Sequence, residues 1–196
     1  MTKKLIYGVG INDADYTVQL RVKGGKTIHC PFYTAWVGVL CRCYSDKWRI
    51  KYPTYIGCAM VESWHRFSTF RSWMETQDWK DKVLDKDILL PGNKLYGPGT
   101  CVFVSSETNK FCNENEAARG DWPIGVTLSK GKYFVAMCKD VQTNKPKYLG
   151  SYQSSDQAHQ AWLAYKLEQA YILASKQTDG RVAKALVDRY KNYKSN

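Results

Sequence analysis

The chain has 196 residues, with 29 Lys and Arg against 18 Asp and Glu, a net charge of +11. That length suits one large domain or two small ones, and a composition 44% hydrophobic and 14% aromatic is ample for a packed core. No apolar run is long enough to span a bilayer, and basic charge interleaved with aromatic residues favours nucleic acid over a membrane surface.

The charge surplus is +5 over residues 1–120 and +6 over residues 121–196, so the shorter second part is the more densely basic. The opening MTKKLIYGVG lacks the apolar stretch of a signal peptide, which predicts a cytoplasmic location. Seven cysteines are present without a CxxC, and the CRC at 41–43 is tighter than zinc-ligand spacing. Reduced, mostly buried thiols are expected.

Residues 1–30 hold short strand-like runs, IYGVGI and YTVQLRVKGG, with no helical period. From Pro31 the pattern changes: Phe32, Trp36, Val37, Leu40, Cys43 and Tyr44 recur at three- and four-residue spacing, an amphipathic helix of about three turns. Tyr52-Pro53-Thr54-Tyr55 ends it, and IGCAMV follows as a short strand. ESWHRFSTFRSWMETQ then sets Trp64, Phe67, Phe70, Trp73 and Met74 along one helical face. An aromatic stripe at helical spacing is expected to pack in a core rather than stack on bases, because such a face must be buried against something.

Residues 84–109, LDKDILLPGNKLYGPGTCVFVSSETN, predict a strand, a Gly/Asn loop, a second strand and a helix. A carboxylate ending the first strand and a polar residue on the helix can converge on a divalent ion, and a neighbouring side chain can serve as base. Asp85, Lys86 and Asp87 occupy the first position, Thr100 opens the second strand, and Asn109 lies on the helix. The bland alternative is a solvated hairpin end.

Residues 113–121, NENEAARGD, are polar and predict the link between two modules, 1–119 and 120–196. PIGVTLS, GKYFVAMCKD and PKYLGSY then predict three strands, with KG and QTNK as turns. Ser154 with Gln157 forms a candidate capping box for a long helix that buries Ala158, Ala161, Trp162, Tyr165, Leu167, Ala170 and Leu173. Thr178-Asp179-Gly180 ends it, and a basic helix, RVAKALVDRYKNYK, follows. The expected class is α+β.

The run LDKD…GN..Y.P.TCVFVS…N, with Trp36, Cys41, Cys43 and Tyr44 and with Trp64, Phe67 and Phe70 before it, resembles the HNH (ββα-metal) endonucleases, especially the small homing endonucleases of tailed phages. The resemblance covers most of residues 7–119. It implies an N-terminal ββα-metal nuclease-like region and a DNA endonuclease using Mg²⁺ or a similar ion to nick or cut both strands, working in the host cytoplasm if phage-encoded, or else a catalytically inactive DNA-binding protein that keeps the fold. Asp85 matches the family's acidic metal position and Asn109 its helix-borne one. Lys86 and Asp87 would orient phosphate or water. Lys86 stands where many members carry the catalytic histidine, and Thr100 where many carry an asparagine. A lysine serves as base at neutral pH only if burial or a like charge lowers its pKa, and Asp85 and Asp87 act the other way. The base is open, with His65 or His29 as candidates.

Residues 123–170 resemble the DNA-binding domain of plant ethylene-response (APETALA-type) factors, which also occurs fused to phage HNH nucleases. The matching residues are Gly125-Val126, Gly131-Lys132-Tyr133, Tyr148-Leu149-Gly150-Ser151-Tyr152 and Asp156-Gln157-Ala158. In that family a three-stranded antiparallel sheet lies in the major groove with a helix behind it. The resemblance implies contacts to double-stranded DNA from Thr127, Ser129, Lys130, Lys132 and Tyr148, with phosphate binding by Lys139, Lys145 and Lys147. The family's arginine base readers are mostly replaced here by Thr, Ser, Ala and Cys.

Overall fold

A computed structural model describes residues 4–25, 27–113 and 121–193. The chain is mixed helix and sheet, as the α+β expectation has it, and divides into two units, 1–106 and 107–196. Among the described residues no helix is long and apolar enough to cross a membrane.

The first unit begins with a tight turn, in which Ile6 and Gly10 exchange backbone hydrogen bonds, and an antiparallel ribbon of β1 (Gln19–Arg21) and β2 (Thr27–His29). Helix α1 (Pro31–Tyr44) starts on Pro31, whose missing N–H is no loss at a first helical position. It buries Trp36, Val39, Leu40 and Cys43, the face that the sequence periodicity marks. After the short α2 (Asp46–Lys51), a 3-10 turn at Pro53–Tyr55 stands where the proline breaks the helical pattern. Strand β3 (Ala59–Met60) falls within IGCAMV.

The single helix expected over residues 62–77 is split into a 3-10 turn, Glu62–His65, and α3, Phe67–Glu75. The break has a cause in the N-terminal segment. Ile11 donates its N–H to the His65 carbonyl at 2.8 Å and accepts from the Phe67 N–H at 3.0 Å, drawing both groups out of a continuous helix. The aromatic stripe is core: Trp64, Phe67, Phe70 and Met74 are buried. Trp36 Nε1 donates to the Trp64 carbonyl at 2.7 Å, so the largest buried side chain leaves no donor unpaired.

Strands β4 (Val83–Asp85) and β6 (Val102–Val104) pair antiparallel, Asp85 opposite Val102, while β5 (Leu95–Tyr96) pairs parallel with β3. Helix α4 (Ser106–Cys112) follows, so the order strand–loop–strand–helix is present as secondary structure. All but the first residue of α4 belong to the second unit. The Phe111 carbonyl, near the C-terminal end of α4, accepts from Lys166 Nζ at 3.0 Å and from the Tyr190 hydroxyl at 3.1 Å. A cation at the negative end of the helix dipole is favourable. Of the expected link at 113–121, residues 114–120 lie outside the described residues.

The second unit carries an antiparallel sheet in the order β7 (Val126–Ser129), β8 (Tyr133–Lys139), β9 (Pro146–Tyr152). Helix α5 (Ser155–Ala174) packs on one face of the sheet, and α6 (Gly180–Lys191) packs on α5. Ser154 Oγ accepts from the Gln157 N–H at 3.2 Å, which realises the first half of the expected capping box. Asp179 both follows α5 and caps α6 by accepting from the Arg181 N–H.

Gly125 holds the sheet and α5 together. Its φ is +80°, and a Cβ placed on it would lie 2.0 Å from Trp162 Cδ1. The positive φ and the contact both exclude a side chain. Gly125→Ala is therefore predicted to destabilise the second unit by about 2–4 kcal/mol, combining left-handed strain with overpacking. Denaturant unfolding followed by tryptophan fluorescence measures it, and an unchanged midpoint would refute the account.

Candidate functional site

The end of β4 and the loop that follows carry three of the residues expected to form a nuclease site, Asp85, Lys86 and Asp87. Asp85 ends β4, and its Oδ1 accepts the backbone N–H of Asp87 and of Ile88, both at 2.7 Å. These bonds turn the chain sharply out of the strand, the use to which an Asp side chain is suited. Burial pushes the Asp85 carboxyl up, against the two amides that favour its charged form; of its neighbours, Asp87 raises it and Lys86 lowers it.

Lys86 is 6% exposed. Its ammonium donates to both oxygens of Asp87, at 2.6 and 2.8 Å, and to the Asn93 carbonyl at 2.6 Å. Asn93 closes the circuit: Nδ2 donates to the carbonyls of Lys86 (3.0 Å) and Leu95 (2.7 Å), and Oδ1 accepts the Leu95 N–H (3.1 Å). The Thr100 hydroxyl donates to the Leu95 carbonyl at 2.7 Å, pinning the next turn. All three lysine protons have an acceptor. Asp87 and Asn93 thus tie the Lys86 side chain into the loop as a hydrogen-bond donor.

The histidines stand elsewhere. His65 Nε2 pairs with the Tyr44 hydroxyl at 3.1 Å, and the two rings meet edge to face. His29 is exposed on β2. Asn109 lies on α4 in the second unit, and its Oδ1 is buried without a hydrogen-bond partner. Among the described residues no group of three or more His, Cys, Asp or Glu side chains is placed to hold a metal ion.

These residues do not fit the Mg²⁺ that the nuclease resemblance implies. One oxygen of Asp85 is committed to two amides, and the adjacent side chain is a buried ammonium rather than a further ligand. The cysteines offer no alternative: all seven are free, five of them buried. Burial pushes Cys43 up to about 12 and Cys101 up to about 11, which keeps both as thiols.

The second unit presents a different surface. Alternation along β8 sends Phe134, Ala136 and Cys138 toward α5 and leaves Tyr133, Val135, Met137 and Lys139 on the open face. Pairing adds Thr127 and Ser151 beside Val135, Ser129 beside Tyr133, and Tyr148 beside Met137. Tyr148 is 60% exposed, and its hydroxyl lies 2.8 Å from Ser151 Oγ.

Lysines flank this face at both ends. Lys130 and Lys132 sit in the β7–β8 turn, closed by the Lys132 N–H on the Ser129 carbonyl, with Lys130 and Gly131 at positive φ. Lys139 and Lys145 flank the β8–β9 turn. Asp140 organises that turn: Oδ1 accepts from the N–H groups of Gln142 and Thr143, and Oδ2 from the Tyr165 hydroxyl at 2.6 Å. The tyrosine bond leads in holding the Asp140 carboxyl down at about 2.

Lys147, expected among the phosphate contacts, points the other way. It pairs with Cys138, on the helix side, and its ammonium lies over the Tyr165 ring at 4.4 Å. The bulge between Ala136 and Met137 sets this register. Tyr133, Met137 and Ser151, which were not among the expected DNA contacts, share the face with the expected Thr127, Ser129 and Tyr148. The period-2 alternation of YFVAMCK was the signal for Tyr133 and Met137.

No family model, no curated protein and no solved structure matches this chain.

Two predictions concern the loop. Lys86→Ala should lower stability by about 1–3 kcal/mol, because it strips a buried network of its donor, while the half-exposed Asp87 is rehydrated. A midpoint within error of wild type in urea unfolding would refute this structural role. For Asp85 the folded pKa is raised above 3.8. Its contribution to stability is full below the unfolded value and is lost as pH rises through the folded one. Asp85→Asn keeps an acceptor oxygen for both amides without the charge. The variant should gain on wild type at pH 7, and the gain should shrink toward pH 4. Unfolding free energies at the two pH values decide it.

Proposed function

We propose that this chain is a double-stranded-DNA-binding protein whose C-terminal sheet lies in the major groove. One observation carries the reading: a mixed polar and aromatic sheet face is bracketed at both ends by lysines that have no carboxylate partner among the described residues. The seven residues of β8 span about 23 Å at about 3.3 Å per residue, whereas the major groove is about 12 Å wide. A sheet laid across the groove therefore sets its centre over base edges and its two turns over the phosphates on either side. Thr127, Ser129, Ser151 and Tyr148 supply hydroxyls for base edges, Met137 and Tyr133 supply apolar contact, and Lys130, Lys132, Lys139 and Lys145 meet phosphate. The resemblance of residues 123–170 to APETALA-type domains supports the same placement. Few long donors face the bases, so affinity rests mainly on phosphate and discrimination between sequences is modest.

In this reading residues 84–104 keep the outline of an HNH nuclease as a scaffold. The ammonium where many members carry the catalytic histidine is used to close the loop. A second reading, a metal-dependent phage-type DNA endonuclease, is favoured by one observation, the buried Asn109 Oδ1 that lacks a partner. A cation is one way to satisfy such an oxygen.

Binding should weaken steeply with salt, and Lys130→Ala with Lys132→Ala should lower the slope of log K against log salt by about 2, at about 0.9 per phosphate contact. Fluorescence anisotropy with a labelled duplex measures it; a flat salt dependence would remove the DNA reading. Supercoiled plasmid should remain intact in Mg²⁺ or Mn²⁺. Nicking that disappears in both Asp85→Ala and Asn109→Ala would establish the endonuclease instead.

A further inference from the structure

The β1–β2 ribbon near the N-terminus is a separate antiparallel pair, joined to no other strand among the described residues. All six strand residues, Gln19–Arg21 and Thr27–His29, are exposed. Its root is fixed: the Cys30 N–H donates to the Val18 carbonyl at 2.9 Å, and Val18 and Cys30 pack partly against the core of the first unit. Beyond that root the ribbon stands in solvent on both faces. A free two-stranded ribbon is marginal in water. Leu20 and Ile28 sit directly opposite one another, each 54% exposed, and form a cross-strand pair that holds the strands in register without a core.

The other face carries Gln19 opposite His29 and Arg21 opposite Thr27, all hydrogen-bonding side chains. Lys23 stands at the tip beside Gly24 and Gly25, both at positive φ. No Asp or Glu occurs from Tyr16 to Ser45. Among the described residues neither Arg21 nor Lys23 has an ion-pair partner.

We infer that this ribbon is a second DNA-contacting arm, with the Gln19/Arg21/Thr27/His29 face toward the groove and Arg21 and Lys23 on phosphate. The inference rests on the DNA-binding reading above and adds to it a surface in the first unit. A two-stranded ribbon is one of the shapes the major groove admits. A surface that is cationic, free of carboxylates and built of donors fits a polyanion. A protein partner would instead use the Leu20/Ile28 face.

The test uses the full chain and a labelled duplex, with anisotropy read across a salt series. The variant Arg21→Ala with Lys23→Ala should lower the slope of log K against log salt by about 2 and weaken binding by roughly tenfold near 0.1 M salt. Its thermal midpoint should match wild type, since both side chains are exposed. The charge-keeping Arg21→Lys with Lys23→Arg should retain most of the affinity. Hydroxyl-radical footprinting should show a shorter protected stretch for the alanine variant.

Wild-type affinity and slope in the alanine variant, while Lys130→Ala with Lys132→Ala still reduces them, would overturn the arm and leave the sheet's role standing. Absence of salt-dependent DNA binding in the wild type would overturn both. Loss of self-association in Leu20→Ser with Ile28→Ser, joined to unchanged DNA binding in the alanine variant, would assign the ribbon to a second copy of the chain and overturn the proposal.

Discussion

A buried lysine closes the loop between β4 and β5. Lys86 spends all three of its donors inside the loop that leaves β4, on Asp87 and on the Asn93 carbonyl, and Asn93 in turn ties that loop to the start of β5. Taking a charge out of water is costly unless acceptors surround it, so Asp87 and Asn93 are required by Lys86 as much as it is by them. The loop so closed runs from Asp85 at the end of β4 to Leu95 at the start of β5. A histidine at position 86 would reach fewer acceptors and leave the Asn93 carbonyl or Asp87 short of a donor. Lys86 is therefore the side chain that holds the loop's shape.

Much of the secondary structure was legible because its signals are local. Pro31 at a first helical position, the three- and four-residue spacing of Trp36, Leu40 and Cys43, and the alternation along β8 all correspond to observed elements. The parts that were not legible depend on distant partners. Nothing near His65 in sequence says that Ile11 will draw its carbonyl and the Phe67 N–H out of a helix. Nothing in SETNKFC says that Lys166 and Tyr190 will cap α4 and group it with the second unit. The sequence pattern over residues 84–109 treats strand, loop and helix as one motif, whereas the packing assigns the end of that motif elsewhere.

The candidate site shows the same limit. Asp85, Lys86, Asp87 and Asn109 can be found by pattern, but whether a carboxylate faces an ion or an amide is decided by hydrogen bonds. Asp85 turns its Oδ1 to the Asp87 and Ile88 amides, a choice that no spacing rule distinguishes from metal ligation. Lys147 is the counterpart in the second unit: its charge is plain in the sequence, but the bulge at Ala136/Met137 sends it toward Tyr165 and away from the open face.

Polar groups that satisfy one another build structure, and those left unsatisfied are what remain for a partner. In the β4–β5 loop Lys86, Asp87, Asn93 and one oxygen of Asp85 are spent on internal hydrogen bonds. Along the open sheet face Thr127, Lys130, Lys139 and Lys145 are exposed and Ser129 is half-buried, while the hydroxyls of Tyr148 and Ser151 pair with each other. Asp140, at the start of the β8–β9 turn, accepts from that turn's own amides and from Tyr165, so its oxygens are engaged within the unit and not with the neighbouring lysines. Those bonds stabilise the Asp140 carboxylate without engaging a lysine, so the side chains of Lys139 and Lys145 stay open to solvent and to an approaching anion.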